Sequence, residues 1–361
     1  MTDFHGSYLP HQVTFLLKPI TLDTIADTAE KERLIQSGRK HYSEMLSPES
    51  APSEAYLQLF QTACGQNLPR MAADCLQLAA QIAARRETPV LVSLARAGTP
   101  VGVALQHILS RHYGCSVAHY SVSIIRDRGI DRNALRRILQ NHKAEQLVFI
   151  DGWTGKGVIK RELDKYIADF NRQNGSRIAA DLYVLSDLAG VTPFSATNGD
   201  YLIPSAILNA CISGLISRSV LNGQIGRDDF HGCVYLSELA AHDLSRDFIA
   251  ELTAISDRLQ QNGLPAVKLS RQQGAADTSR RFIAAAARRY RVADINLIKP
   301  GIGEATRVML RRRPQLLLLR NPDAPAVRHL LRLAEEKDIA IETDACLPYQ
   351  AAALIQDLRH A

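Results

Sequence analysis

A carboxylate followed by a glycine-rich turn is the strongest chemical signal in this sequence. Residues 147–157 read Leu-Val-Phe-Ile-Asp-Gly-Trp-Thr-Gly-Lys-Gly. The four apolar residues are typical of a buried parallel strand, which we expect to end at Asp151, and a helical pattern begins at Val158. Backbone N–H groups at such a turn, backed by a helix N-terminus, bind phosphate oxygens. The segment therefore predicts a site for a ribose 5′-phosphate, with Asp151 accepting hydrogen bonds from sugar hydroxyls.

A second loop, at residues 93–100, follows another predicted strand. It reads Ser-Leu-Ala-Arg-Ala-Gly-Thr-Pro. Ala95, Ala97 and Gly98 are small enough for a ligand to approach the backbone, and Arg96 offers a fork of hydrogen-bond donors. We expect this loop to bind pyrophosphate.

Strands alternating with helices from residue 88 to residue 185 predict an α/β domain with a parallel sheet and helices on both faces. The chain of 361 residues is long enough for two domains. A helical pattern that ends at Gly263 suggests the boundary between them. We therefore expect one domain at residues 1–262, with an N-terminal extension and a lobe at 190–235, and a smaller α/β domain at 263–361.

The two loops, in this order, resemble those of type I phosphoribosyltransferases, and the resemblance implies that fold for the first domain. It also implies an enzyme that uses phosphoribosyl pyrophosphate and Mg²⁺ to ribosylate a base-like acceptor. Asp151 would bind the ribose and the metal, Arg96 the leaving pyrophosphate, and Arg126 would lie in a loop that closes over the substrate. The ribose phosphate would contact Gly152, Thr154, Gly155, Lys156 and Gly157. The sequence departs from the family at Gly152, where a second acidic residue is usual, so a nucleotide-sensing regulator that binds without catalysis is an alternative.

The lobe offers candidate contacts to the acceptor. Asp200, Asn209 and Arg218 lie in segments rich in glycine, serine and proline. The same residues are equally typical of turns and caps, and both interpretations stay open.

The basic charge of the chain is concentrated near its C-terminus. Residues 271–320 contain 12 Lys/Arg and 3 Asp/Glu, which indicates a polyanionic partner. Residues 299–313 and the strand after them resemble the Pelota-type RNA-binding domain, over about residues 275–350. This resemblance implies RNA contacts from Lys299, Gly301, Gly303, Glu304, Thr306, Arg307 and Arg311.

The fusion of these two domains resembles the StiP family of bacterial tellurite-resistance stress gene clusters, which also carries the label of cysteine protease. The six cysteines are scattered, and Cys211 with His231, or Cys115 with His119, are the nearest pairs that could form a thiol–imidazole site. Neither pair has a context that specifies catalysis, so we expect buried, unreactive thiols and rank cysteine hydrolysis below phosphoribosyl transfer. If cysteine hydrolysis occurs, Cys211 is the expected nucleophile.

Several classes of protein are not expected. The N-terminus has no secretory signal pattern, no apolar run is long enough to cross a membrane, and the cysteines have no disulfide or zinc spacing. Lys156 is followed by glycine rather than serine or threonine, which excludes a P-loop. We expect a cytoplasmic protein, and a homodimer is an open alternative to a monomer.

Overall fold

The computed structural model describes residues 4–269 and 274–357, which form two main sheets and one short two-stranded sheet. The elements up to residue 260 are β1 (Thr14–Leu16), β2 (Lys18–Pro19), α1 (Thr28–Gln36), α2 (Glu54–Ala83), β3 (Val90–Ala95), α3 (Gly98–Tyr113), β4 (Ala118–Ile125), β5 (Gly129–Ile130), α4 (Arg132–Leu139), β6 (Leu147–Thr154), α5 (Val158–Asn174), β7 (Leu182–Asp187), β8 (Ser195–Thr197), β9 (Gly232–Cys233) and α6 (Ser245–Gln260). The elements that follow are α7 (Ala275–Arg289), β10 (Ile298–Pro300), α8 (Ile302–Arg311), β11 (Pro314–Leu319), α9 (Arg328–Glu336), β12 (Ala340–Thr343) and β13 (Ala351–Ile355).

The first sheet is parallel along the order β1-β4-β3-β6-β7-β8, and β5 pairs antiparallel with β4. Adjacent side chains on its strands point to opposite faces. In β6, Val148 and Ile150 join one apolar cluster, whereas Leu147 and Phe149 join another. Helices α2, α3 and α6 supply the first cluster, and α4 and α5 supply the second. The predicted parallel sheet with helices on both faces is confirmed.

The second sheet has the order β10-β13-β11-β12. Its central strand β13 runs antiparallel to β10 and β11, and β11 pairs in parallel with β12. Ala351 and Ala353 of β13 face α8 and α9, whereas Leu354 packs in a cluster with residues of α7. This part is also a mixed α/β unit, and it is the smaller of the two.

The large apolar cluster of the first sheet continues into the second. It includes Ile302, Ala305, Val308 and Met309 of α8 together with the side chains that cover β3 and β6. Buried apolar contact of this kind fixes α8 against the first sheet. The loops at the carboxyl ends of β3 and β6 therefore lie beside α8. Within residues 4–269 and 274–357, none of the helices is both long and apolar enough to span a bilayer.

One strand boundary differs from the prediction in a way that matters for the site. The sequence suggests that the strand ends at Asp151, but β6 continues to Thr154, paired with β7 through Trp153 and Thr154. Asp151 is therefore a residue within the strand rather than the residue at its tip. The turn itself is confined to residues 155–157, where Gly157 has a left-handed φ of 69° and caps α5.

Candidate functional site

A cleft of about 800 Å³ lies between the carboxyl edge of the first sheet and α8. Among the predicted site residues, those that line it are Ala95, Arg96, Ala97, Asp151, Asn209, Arg218, Lys299, Glu304, Arg307 and Arg311. A smaller cavity of about 210 Å³ shares Asp151 and Arg307 with it. That cavity is also lined by Arg126, Thr154, Gly155, Lys156 and Gly157. The structure thus places most residues predicted for two separate domains around one continuous site.

The loop after β3 is occupied by contacts within the protein. Arg96 donates through Nη1 to the Ile216 carbonyl (2.8 Å), and its Nη2 lies 2.7 Å from Glu49 Oε1. Gly98, the first residue of α3, lies so close to β6 that an added Cβ would be 2.3 Å from the Ile150 carbonyl oxygen. Glycine is required at this position because the helix and the strand approach backbone to backbone.

Asp151 faces the cleft rather than the apolar core. One carboxylate oxygen accepts the Gly152 N–H at 2.8 Å. Burial raises the pKa of Asp151 to about 6, although the Gly152 hydrogen bond and Arg307 both lower it. A carboxyl with this pKa is mostly ionised at neutral pH and gains a proton in mild acid. Gly152 lines neither of the two cavities.

The turn predicted to bind phosphate has two of its side chains already engaged. The buried Thr154 hydroxyl donates to Asp187 and accepts the Ala189 N–H at 3.2 Å. Lys156 Nζ donates to the Ile295 carbonyl at 2.5 Å, and burial, with Lys299 nearby, lowers the Lys156 pKa to about 7. The Lys156 contact joins the turn to the C-terminal part of the chain, whereas the Thr154 contacts lie within the first part.

Arg126 and the predicted acceptor residues have different environments. Arg126 packs on the Tyr42 ring at 5.3 Å and lies 3.0 Å from the Asp127 carboxylate. Asn209 lines the cleft, and its Oδ1 is buried without a hydrogen-bond partner among the described residues. Asp200, by contrast, lies outside both cavities and accepts N–H groups from Ile302 (2.9 Å) and from the segment before β13. Its observed contacts are those of a cap between the two parts of the chain.

The residues predicted to contact RNA face the first sheet. Arg307 lies over the Trp153 ring at 4.2 Å, and Glu304 Oε1 lies 3.3 Å from Trp153 Nε1. A Cβ at Gly303 would be 3.1 Å from the same indole. Gly301, with φ of 89°, packs against residues that follow β7. The Thr306 hydroxyl is buried against His329 at 2.8 Å. Gly301, Gly303, Glu304 and Arg307 therefore contact the first part of the chain, whereas Thr306 is buried within the C-terminal part.

Neither cysteine–histidine pair suggested by the sequence is formed. The ring of His119 is buried between the Gln12 carbonyl (2.8 Å) and Ser93 Oγ (2.9 Å), and burial lowers its pKa to about 4. His231 Nδ1 lies 2.8 Å from Ser123 Oγ, and this histidine lines a different cavity from Cys211. Both histidines have structural contacts.

Cys211 is distinct among the cysteines because it alone of the six lines the large cleft. It lies in a short 3₁₀ helix, Ala210–Ile212, and the N–H of Ala210 donates to Glu49 Oε2 at 3.1 Å. Burial, together with Asp243 and Glu49, raises the pKa of the Cys211 thiol to about 11, and Arg96 opposes the shift. The thiol is therefore protonated at neutral pH. Among the described residues that line the cleft there is no histidine.

Comparison with known proteins identifies the family. Residues 6–253 match the model described as tellurite-like stress resistance cysteine protease StiP, and residues 277–357 match the PELOTA RNA-binding domain. A curated relative, the cysteine protease StiP of Acinetobacter baylyi, is 42% identical over 98% of this chain and 95% of that relative. The chain belongs to the StiP family. The family expected from the two motifs is confirmed, and so is the Pelota-type match of the C-terminal part.

Similarity to solved structures is weak. A mutant of C-DES with glycine linked covalently to its PLP cofactor is 12% identical, with 91% of this chain and 88% of that chain covered and a TM-score of 0.28. A complex of the cystine C–S lyase C-DES with cysteine persulfide is 13% identical, covering 92% and 90%, with the same TM-score of 0.28. A probable N-succinyldiaminopimelate aminotransferase from Thermus thermophilus reaches a TM-score of 0.21 at 10% identity, covering 72% and 78%. Values this low carry no argument about fold or cofactor.

The family assignment corrects the expected activity. Phosphoribosyl transfer was the favoured interpretation of the two loops, with phosphoribosyl pyrophosphate and a base-like acceptor as substrates and Mg²⁺ as cofactor. These expectations are wrong, because the family model and the curated relative are both described as cysteine proteases, a class whose nucleophile is a thiolate. In the parts of the chain that the structure describes, there is also no group of three or more His, Cys, Asp or Glu side chains arranged to hold a metal ion. The ranking of cysteine hydrolysis below transfer is reversed.

Two residues that line the cleft, Glu49 and Lys31, are not marked as site residues by any sequence motif. Glu49 lies in a Ser/Pro-rich segment that is typical of a connection, yet it pairs with Arg96 and accepts the N–H next to Cys211. Lys31 lies in α1, and it lines the same cleft. Both reach the site only through long-range folding, and no local motif indicates them.

Proposed function

We propose that this member of the StiP family is a cysteine-dependent peptidase whose nucleophile is Cys211, with an RNA-binding C-terminal domain. The observation that supports the proposal is the position of Cys211, since no other cysteine lines the cleft. The cleft is large enough for an extended segment of a few residues, because known ligand pockets have volumes of about 300–1,000 Å³. The family description supplies the type of reaction.

In this proposal the Cys211 sulfur attacks the carbonyl carbon of a peptide bond. The C–N bond breaks, the amine leaves with a proton, and water then hydrolyses the thioester to release the carboxylate and the free thiol. Glu49 is the carboxylate placed to take the thiol proton, since it already accepts the N–H of Ala210. Arg96 would stabilise the thiolate, because it lowers the thiol pKa.

The same contacts imply slow turnover. Burial raises the pKa of Glu49, but Arg96, Arg311 and the Ala210 N–H together lower it by more, so the net shift is downward. A carboxylate of low pKa is a weak base for a thiol whose pKa is about 11. We therefore expect an enzyme that is activated when a substrate or partner changes the environment of Cys211, rather than one that is fully active on its own.

RNA binding is proposed for the C-terminal domain, on the basis of its match to the Pelota model. Glu304 and Arg307 contact Trp153 and also line the cleft, so RNA would reach them through the cleft or after α8 moves away from β6. The specific RNA contacts predicted from residues 299–311 therefore stay a prediction.

We also propose that the chain divides near residue 263 into a domain with a type I phosphoribosyltransferase-like fold and a Pelota-like domain. The support is the parallel order β4-β3-β6-β7 with helices on both faces, and the two family matches on either side of this position. Fold similarity does not imply shared chemistry. Cytoplasmic location and the oligomeric state stay predictions, to be tested by fractionation and light scattering.

The peptidase proposal is tested by hydrolysis of a fluorogenic peptide library and of casein. Cys211→Ser should abolish hydrolysis, whereas Cys346→Ser, at an exposed cysteine outside the cleft, should leave it unchanged. Circular dichroism of both variants would establish that they fold. Hydrolysis at the wild-type rate by Cys211→Ser would contradict the proposal.

A further inference from the structure

The cleft carries an excess of positive charge. Eight lysines and arginines line it, against three acidic residues. Three of the arginines are in direct ion pairs, since Arg96 pairs with Glu49, Arg307 with Glu304, and Arg312 with the buried Glu32. The remaining positive charge requires another explanation.

The other five basic side chains, among them Lys31 and Arg311, form no ion pair within the described residues. Lys31 Nζ donates to the Ser47 hydroxyl at 2.6 Å and forms no ion pair. Arg311 forms neither a hydrogen bond nor an ion pair within residues 4–269 and 274–357, and its Nε is buried. A buried Nε–H without an acceptor is unfavourable, and a ligand in the cleft that accepts a hydrogen bond from it would remove that cost.

Arg218 is the third member of this group. Its guanidinium donates to the carbonyls of Tyr42 and Met45 and packs on the Tyr42 ring at 5.3 Å. These contacts fix its position, but they do not neutralise its charge. The side chain is therefore held at the cleft as a preorganised cation.

The cations also repel one another. Burial and the neighbouring Arg218 and Arg312 lower the pKa of Lys31 to about 8. Burial, with Arg96 and Arg307, lowers the pKa of Arg311 to about 9. A ligand with more than one negative charge would relieve this repulsion, and a single carboxylate would do so only in part.

We propose that Lys31, Arg218 and Arg311 form a binding site for a terminal phosphate group, either a phosphomonoester or a diphosphate. Such a group carries about −1.5 to −2 charges at neutral pH and presents oxygens that match the guanidinium fork. The site is distinct from the turn at residues 154–157, whose Thr154 and Lys156 side chains bind within the protein. It joins α1 to α8, so a bound phosphate would hold the C-terminal part against the first sheet.

This site is independent of the proposed peptidase chemistry. It lies in the same cleft as Cys211 but uses none of the residues assigned to the thiol reaction. The phosphate could come from a free nucleotide or from the 5′ end of an RNA, and the experiment must distinguish these two sources.

The test is isothermal titration of the full chain with inorganic pyrophosphate in the presence of EDTA. We expect saturable binding that becomes about tenfold weaker in Lys31→Met and in Arg311→Met, since each removes a charge-assisted contact. Arg172→Gln is the control, because Arg172 is exposed on α5, lies outside the cleft and forms an ion pair with Asp169 three residues earlier. Cys211→Ser should bind as the wild type does, which separates this proposal from the peptidase.

The molecule that supplies the phosphate group is identified by titrating the protein with three ligands. These are ADP, a short single-stranded RNA with a 5′-phosphate, and the same RNA with a 5′-hydroxyl. Tighter binding of the phosphorylated RNA, lost in Lys31→Met, would identify an RNA end. Binding of ADP without any preference for the 5′-phosphate would identify a free nucleotide, and either result supports the site. Lack of saturable binding by pyrophosphate, ADP and phosphorylated RNA would overturn it. So would wild-type affinity in folded Lys31→Met and Arg311→Met variants.

Discussion

Arg307 of α8 lies over the indole ring of Trp153 in β6, with its Cζ 4.2 Å from the ring centroid. Trp153 is two residues after Asp151, in the segment whose sequence suggests a ligand site. Arg307 belongs to the helix that the Pelota resemblance assigns to RNA. A cation–π contact of this kind contributes about 0.5–2 kcal/mol. It therefore stabilises the packing of α8 against β6, but weakly enough for the two elements to separate.

RNA that binds Arg307 in the cleft would change the surroundings of the Trp153 indole, because the two side chains are in contact. Trp153 is the only tryptophan in the chain, so its fluorescence reports this contact directly. We expect RNA to change the emission of Trp153 in a saturable and salt-dependent manner. Without RNA, the Arg307→Ala variant should already show altered Trp153 emission, and adding RNA should change that emission little. RNA binding with unchanged emission would show that RNA uses another face of the C-terminal domain.

Asp151→Asn should stabilise the protein at neutral pH. Burial raises the pKa of Asp151 to about 6, so its ionised form is disfavoured in the folded state. The contribution of this group to stability falls as the pH rises from about 4 to 6. Asparagine removes the charge and can still accept the Gly152 N–H. We expect a gain of about 1–3 kcal/mol in the free energy of unfolding at pH 7.5. The difference in the free energy of unfolding between the variant and the wild type should disappear near pH 4. An Asp151→Asn variant that is less stable than the wild type at pH 7.5 would show that the ionised carboxylate stabilises the folded state.

Glu49→Gln should destabilise the protein at neutral pH by about 2–3 kcal/mol, because it leaves the half-buried Arg96 without its carboxylate. The net pKa shift of Glu49 is downward, so its contribution is present above its unfolded pKa and is lost as the pH falls through the folded value. The difference between wild type and variant, measured by urea unfolding, should therefore shrink in acid. Glu145→Gln, at an exposed position, serves as the control. Equal destabilisation by both variants would contradict the ion-pair argument.

The thiol of Cys211 should react slowly with iodoacetamide at neutral pH, and its rate should rise about tenfold for each pH unit up to about pH 10. The reason is its raised pKa of about 11. Cys346 is exposed and should be alkylated first. Peptide mapping by mass spectrometry after timed quenching gives both rates. Rapid, pH-independent alkylation of Cys211 would show that its thiol is already ionised.

The fold of the first part could be predicted where strands are strongly apolar. Residues 147–150 have continuous apolar character, and β3 and β6 form where that pattern indicates. The sequence of strand β13 does not predict a strand, because Ala351–Ile355 contains three alanines, which favour helices. It is a strand because β10 and β11 pair with it on both sides. Tertiary pairing overrides local propensity at this position.

The candidate site, like the fold, could be predicted only in part from the sequence. Parallel strands end at one edge of a sheet, so the meeting of Arg96 and Asp151 at one cleft follows from the strand pattern. The approach of α8 to that edge does not, because it depends on apolar packing between segments that are over 100 residues apart. The extension of β6 to Thr154 was also unpredictable, since it depends on pairing with β7. The chemistry inferred from the loops was wrong because small residues and an arginine suit several ligands.

The most direct test of Cys211 as the nucleophile is to treat the protein with an epoxide inhibitor of cysteine proteases. The extent of covalent modification at each cysteine and the rate of peptide hydrolysis are then measured on the same samples. Hydrolysis should be lost in proportion to the slow modification of Cys211, as located by peptide mapping, whereas modification of the exposed Cys346 should leave hydrolysis unchanged. Hydrolysis that persists after Cys211 is fully modified would contradict its role as the nucleophile.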